Sequence, residues 1–329
     1  MSPRDYGPSA PKPYDFVEIK PLGSKDRQRP AGHDRYQPGT VSGRLEATLI
    51  VATPLHVSSG RLKMRRGKEP RLVREMTRIN GQPCVPASTL KGMVRSVVEA
   101  VTRSCIRITD AHKKGGKWQR YRLKHPLGSE GCLDPDSLCI ACQMFGALGF
   151  EGNVRLGDAI LGTGRLGIVR MPSLWEPAKK GADPYLRGNH PSGRKFYKHG
   201  QSITRADTPV EVLLPESRLE LAVRFENLTP GQLGVLLTAL GVGEPSLILK
   251  LGGGKPACYG SVAVRLEGLQ VWGNPLKLYA DYQIEPTSMA LDEYLQSAVE
   301  ENLLLPEQLQ DLAGIWVYDM GRHCPEGNY

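Results

Sequence analysis

A chain of 329 residues with 43 Lys and Arg against 34 Asp and Glu, net charge +9, favours a polyanionic partner, and it is long enough for a well-buried core or about two domains. Its aromatic content of 6% argues against binding through many exposed rings, and the lack of an apolar run of about 18 residues excludes a membrane-spanning helix. The N-terminus MSPRDYGPSAPKPYDFVEIK holds no signal-like apolar core, and seven cysteines, three of them between 132 and 142, fit a cytoplasmic metal site better than disulfides.

Residues 1–43 are rich in Pro, Gly and charge and read as an extended arm. The core, expected over 44–275, opens with GRLEATLIVATPLHV, where Leu45, Ala47, Leu49 and Val51 share one face of a strand. SSGRLKMRRGKEPRL follows as a basic loop. VPASTLKGMVRSVVEAVTRS is a helix with Ser88 as its N-cap and Leu90, Met93, Val94, Val97 and Val101 as its buried stripe. Lys91 and Arg95 lie on another face within its first two turns. Free N–H groups at a helix start, with two cations nearby, suit a phosphate; two cations facing water is the plainer alternative.

An insertion over 105–143 contains CLDPDSLCIACQMFG, with Cys132, Cys139 and Cys142. Thiolates at this spacing can wrap a tetrahedral zinc, with His125 nearest in sequence as the fourth ligand and His112 or Cys105 as alternatives. A thioredoxin-like redox pair is the rival reading, but that motif normally opens a helix in a βαβ unit.

NVRLGDAILG reads as the second core strand, and a Pro-rich, Gly-rich, basic excursion follows over 163–209. SRLELAVRFENL alternates cleanly, TPGQLGVLLTALG is a helix capped by Thr229, and LILKLGGGKPACYGSVAVRLEG supplies a final hairpin. The order strand, helix, strand, strand, helix, strand predicts an α+β, ferredoxin-like (RRM-like) βαββαβ core. Residues 276–329 form a further appendage, helical over 289–314. Within the last hairpin, Gly252, Gly253, Gly254 and Lys255 raise the question of a phosphate loop. Pro256 stands where a nucleotide-binding loop needs Ser or Thr, and a strand follows instead of a helix, so a triphosphate site is excluded.

TPLHVSSG, VPASTLKGMVRS, CIACQMFGALGFEGNVRLGDA and LGGGKPACYGSV are jointly specific and stand in the order found in the RAMP superfamily. Over roughly 12–268 the chain resembles the backbone RAMP subunits of type III CRISPR–Cas effector complexes, with PKPYDFVEIK and RGNHPSGRKFYKHG similar to the type III-D branch. The resemblance implies a protein that coats a guide RNA and presents it to a target RNA beside other RAMP subunits and a large subunit. It places the thumb-like hairpin at 163–209 and the RNA contacts at His56, Ser58, Ser59, Arg61, Lys63, Ser88, Lys91, Arg95, Lys195, Gly252, Gly253, Gly254 and Lys255. Lys91, Arg95 and the glycine-rich loop are expected to form one continuous phosphate-binding surface. Cleaving members carry an aspartate in the loop after the first strand; here Glu69 holds the nearest register, which points to a non-cleaving subunit. The alternatives are a target-RNA endoribonuclease using Glu69, with Mg2+ added to the structural Zn2+, and a guide-processing nuclease using His56.

Overall fold

The computed structural model describes residues 12–67, 69–105, 110–114, 117–121, 131–173, 186–187, 190–191, 193–272, 280 and 289–324. A short strand, β1 (Tyr14–Val17), precedes β2 (Val41–Val51), where Leu45, Ala47, Leu49 and Val51 are buried and alternate with exposed Arg44 and Glu46, as a half-buried strand requires. The stretch expected as a basic loop is instead a hairpin, β3 (Ser58–Met64) with β4 (Leu72–Met76), in which Lys63 faces Val73 and Met64 faces Leu72. It was illegible because β3 buries neither face, so no apolar alternation marks it.

Two short strands, β5 (Arg78–Ile79) and β6 (Gln82–Val85), lead into α1 (Ala87–Val101), whose buried stripe includes Leu90, Met93, Val94, Val97 and Val101. Its N-cap is Pro86 and not Ser88, which lies exposed inside the first turn. A carboxylate from elsewhere serves the helix start: Ala87 N–H donates to Asp158 Oδ1 at 2.6 Å. Next come β7 (Asp110–Lys114), β8 (Lys117–Tyr121), α2 (Ile140–Phe145), β9 (Val154–Leu156), β10 (Ala159–Thr163) and β11 (Leu166–Met171). They are followed by β12 (Leu186–Arg187), β13 (His190–Pro191), β14 (Arg194–Tyr197) and β15 (Thr208–Leu213). The chain continues through β16 (Arg218–Leu228), α3 (Pro230–Ala239), β17 (Leu249–Lys250) and β18 (Ser261–Val271) to α4 (Leu291–Glu300) and α5 (Pro306–Ile315).

The larger sheet runs β17-β18-β2-β16-β10-β6-β5, with β9 also paired to β16. β2 is antiparallel to both of its neighbours, β16 and β18, and β10 is antiparallel to β16. A second sheet, β11-β15-β4-β3, is tied to the end of β2 by reciprocal backbone bonds, Leu55 N–H to Leu213 O at 3.0 Å and Leu213 N–H to Leu55 O at 2.8 Å. The expected arm does not stand free where it is described: β1 pairs with β14, and Asn227 Nδ2 donates to Gly32 O and Arg35 O. No helix of the described residues is long and apolar enough to cross a membrane.

α3 is apolar on all sides, and every residue from Gly231 to Ala239 is buried. The reason is α4, which covers the side turned away from the sheet with Tyr294 and Ala298, both fully buried. Thr229 caps α3 as expected, exchanging hydrogen bonds with Gln232 at 3.1 Å each way, and Glu301 accepts from Gly231 N–H at 2.7 Å. The two helices cross at Gly234, where a Cβ would fall 2.0 Å from Tyr294 O. Gly234→Val should therefore cost about 3 kcal/mol, read as a shifted denaturant midpoint, whereas Gly92→Ala, with open space around it, should leave the midpoint unchanged or raise it.

Candidate nucleic-acid interface and cysteine cluster

The glycine-rich loop leaves β17 and fills the seam between the two sheets. Gly252 and Gly254 have φ of +77° and +71°, and a Cβ would lie 2.4 Å from His56 O in the first case and 2.3 Å from Met171 Sδ in the second. Gly253 is different: it is exposed, has no positive φ, and a Cβ there meets nothing closer than 3.7 Å. Its N–H is already occupied, donating to His56 O at 2.8 Å. Gly252 and Gly254, rather than Gly253, therefore carry the conformational constraint. Beyond them Ala257 and Tyr259 join Met171, Val210 and Val212 in a small second core.

His56 lies beneath this loop and is 3% exposed. Its Nδ1 is 2.7 Å from Glu211 O, so Nδ1 carries the proton and Nε2, a buried atom without a hydrogen-bond partner, carries the lone pair. Burial lowers its pKa from the usual histidine value. Glu211 is a hub that sequence reasoning missed. Its carboxylate takes Arg78 Nη2 at 2.7 Å, Met76 N–H at 3.1 Å and Lys63 Nζ at 3.6 Å. The one available signal was a lone acid inside the apolar strand TPVEVL.

The predicted RNA-contact residues fall into separate groups. His56 touches the loop Gly252–Lys255 directly, and Ser58, Ser59, Arg61 and Lys63 lie on β3, which begins two residues after His56. Ser58 and Ser59 turn their hydroxyls back to Gly60 N–H and Arg61 N–H, at 3.2 Å each. Ser88, Lys91 and Arg95 lie on α1, whose start is bonded beside β10, while the loop borders β17 across β18, β2 and β16. Arg95 is committed to Glu99 at 2.8 Å, Gly146 O at 2.9 Å and Cys142 Sγ at 3.4 Å. The expected continuous surface of Lys91, Arg95 and the loop is therefore not assembled: the strand order separates its parts, and Arg95 faces inward. Lys195 places its ammonium over the rings of Tyr14 and Tyr197, at 4.3 and 4.6 Å from their centres. Glu69, at the hairpin tip, is exposed and pairs with Arg71 Nε at 3.2 Å. It lines a cleft of about 530 Å³ together with Arg65, Ile168, Arg170 and Glu211.

Cys105, Cys132, Cys139 and Cys142 bring four buried sulfurs within 4.8 Å of one another, a set of soft donors that could hold a metal ion. The fourth member is Cys105, in the position for which His125 was the nearest choice in sequence; His125 lies outside the described residues. The cluster bolts the end of α1 to the start of α2. Cys139 N–H donates to Cys132 Sγ at 3.2 Å, and Cys105 N–H to Cys139 Sγ at 3.4 Å. Hydrogen bonds from the neighbouring thiols, Cys105 first, lower Cys132 below the ordinary thiol range and bring Cys139 down to about 6. Of the three remaining cysteines Cys84 is free and buried, while Cys258 and Cys324, not expected to pair, are disulfide-bonded.

A buried polar group underlies the loop. Lys250 Nζ donates to Tyr259 O and Ser261 Oγ, both at 3.0 Å, and His199 contacts Ser261 Oγ at 2.8 Å and Ile248 O at 2.9 Å. Burial, with Lys255 and Arg322 nearby, lowers Lys250 to about 7.

The fold and these sites together define an α+β protein with two sheets joined at a glycine-rich seam and a cysteine cluster inserted beside the first helix. The chain belongs to the RAMP superfamily, whose family model matches residues 48–263. Among solved structures it is similar to a chain in the cryo-EM structure of the Type III-B Cmr-beta bound to cognate target RNA, at 15% identity and a TM-score of 0.37. That likeness covers 70% of this chain and 61% of the other, so the chain spans about three fifths of that neighbour. Comparison with curated proteins gives no match.

Two outcomes follow from the geometry. Cys105→Ser and Cys142→Ser should each lose bound metal and melt earlier, by metal analysis and calorimetry, while His125→Ala keeps both at the wild-type level. Lys250 binds fewer protons folded than unfolded between pH 7 and its unfolded value of 10.5, so its contribution to stability rises across that window. The difference in unfolding free energy between wild type and Lys250→Met, followed by denaturant titration, should shift in favour of wild type as pH increases.

Proposed function

We propose that this RAMP protein is a guide-RNA-binding backbone subunit of a type III CRISPR effector complex, of the III-D branch, which coats the guide without cutting the target. The observation that carries the reading is the seam at the end of β2. There a backbone loop free of side chains meets a basic hairpin, inside the stretch matched by the family. Arg61, Arg66 and Arg74 on the hairpin and Lys255 on the loop have no ion-pair partner among the described residues. Uncompensated cations around exposed main chain suit a phosphodiester backbone.

The order β2, α1, β10, β16, α3, β18, with β2 between β18 and β16, supports the ferredoxin-like reading over 44–275, with 105–143 and 163–209 as insertions and 276–329 as an appendage. Zinc is the metal we assign to the cysteine cluster. Tetrahedral Zn–S bonds of about 2.3 Å place sulfurs about 3.8 Å apart, and Cys105 Sγ lies 3.4 Å from Cys142 Sγ and 3.6 Å from Cys139 Sγ. The ion would fasten the insertion, which has little apolar core of its own, and its partners in the assembly are guide RNA, target RNA and further RAMP subunits.

Cleavage through Glu69 is the second reading, favoured by the cleft it shares with Glu211. Against it, Glu211 is held by Arg78 and Lys63, and exposed Glu69 has Arg71 as its partner. Guide processing by His56 is opposed by the burial of its ring.

Single-stranded RNA binding should weaken about a hundredfold between 50 and 200 mM salt if about five phosphates are engaged; a flat salt profile would remove the reading. Lys255→Ala should cost about tenfold or less, while Gly252→Val costs more and Gly253→Ala nothing. In an assembled complex, Glu69→Ala should leave the rate of target cleavage as it is in wild type; a loss would establish the endoribonuclease alternative.

A further inference from the structure

The end of the described chain lies against the segment that follows the glycine-rich loop and against Gly200 and Gln201. Trp316 packs edge-on against Phe196 with ring centres 5.1 Å apart, and Tyr318 packs against His199 at 5.6 Å. Past these rings the hold changes character. Gln201 N–H donates to Arg322 O at 2.9 Å, and Cys324 is bonded to Cys258, three residues after Lys255. Asp319, Gly321 and His323 are exposed, so this last piece contributes little apolar burial of its own.

We propose that Asp319–Cys324 is a redox-held strap that completes the basic side of the glycine-rich loop, with Arg322 as an RNA-phosphate contact and the Cys258–Cys324 bond as its fastening. The proposal rests on the RNA-binding reading above. Electrostatics give the fastening its purpose. Arg322 lies close enough to Lys250 and His199 to lower both, and Lys255 is lowered by burial and by Arg194. Lys250, Lys255 and Arg322 have no ion pair among the described residues, so no carboxylate offsets the positive groups crowded here. A covalent bond across 66 residues fastens a segment whose backbone is otherwise tied by Gln201 N–H to Arg322 O. A phosphate seated on the loop would neutralise the same crowding, which is why Arg322 belongs to the site only while it is tied there.

Release needs a dithiol. One of its thiolates attacks a sulfur of the Cys258–Cys324 bond and expels the other cysteine. The second thiol then closes the reagent into a cyclic disulfide, so two electrons and two protons end on Cys258 and Cys324.

The test uses the full chain as oxidised wild type, dithiol-treated wild type, Cys324→Ser and Arg322→Gln. Trypsin cleavage after Arg322, followed by mass spectrometry, should be about tenfold faster in the dithiol-treated and Cys324→Ser proteins than in oxidised wild type. Affinity for a short single-stranded RNA at fixed salt should fall severalfold in those two and equally in Arg322→Gln with its disulfide intact. Equal cleavage rates in oxidised wild type and Cys324→Ser overturn the strap, and wild-type affinity in Arg322→Gln overturns its role at the phosphate. Wild type that binds no RNA in either state overturns the proposed function and Arg322's part in it, while the cleavage rates still decide the strap.

Discussion

Main chain packed directly on main chain at the end of β2 is the constraint on which the rest of the architecture depends. Gly252 sits against the carbonyl of His56, Gly254 against Met171, and Gly260 against the carbonyl of Leu251, each with positive φ. These contacts let the second sheet close against the first, with Leu55 and Leu213 exchanging backbone bonds across the junction. A side chain at Gly252 or Gly260 would strike a backbone carbonyl, and one at Gly254 would displace Met171. The seam also fixes what lies around it: His56 is sealed below, Lys250 is trapped beside Ser261, and Tyr259 is directed into the second core.

The cysteine cluster organises the other end of α1 by a different principle. Glu99 is 6% exposed and sits between Arg95 and Arg194, so a buried carboxylate is matched by two guanidinium groups. Arg95 also reaches Cys142, which couples this ion network to the sulfurs. The insertion, α1 and β14 are therefore held by charge and sulfur contacts where the sheet side is held by apolar packing.

The elements legible in the sequence are those that separate a buried face from a wet one. β2 and β16 alternate because one side of each meets the helices, and α1 shows its stripe for the same reason. β3 was not legible because a strand exposed on both faces imposes no pattern, and β11 and β14 were hidden inside a long Pro-rich and Gly-rich excursion. Among site residues, the Cys-x-x-Cys pair and the glycine run were legible from spacing alone. Cys105 was legible only as one of three candidates for the fourth ligand, and Glu211 and Asp158 were not legible, since each acts on a partner distant in sequence, Arg78 and Ala87. Arg95 misled for the same reason, because helical position places a cation on a face without saying what faces it.

The burial of α3 on every side bears on how the chain can be made. While the polypeptide emerges from N- to C-terminus, α3 and the sheet beneath it are complete well before α4 exists. Until Tyr294 and Ala298 arrive, the outer side of an almost wholly apolar helix stays wet, a surface suited to non-productive association. The final closure joins segments far apart in sequence and is slow by nature. The order in which segments leave the ribosome therefore matters to this helix as much as what finally packs on it.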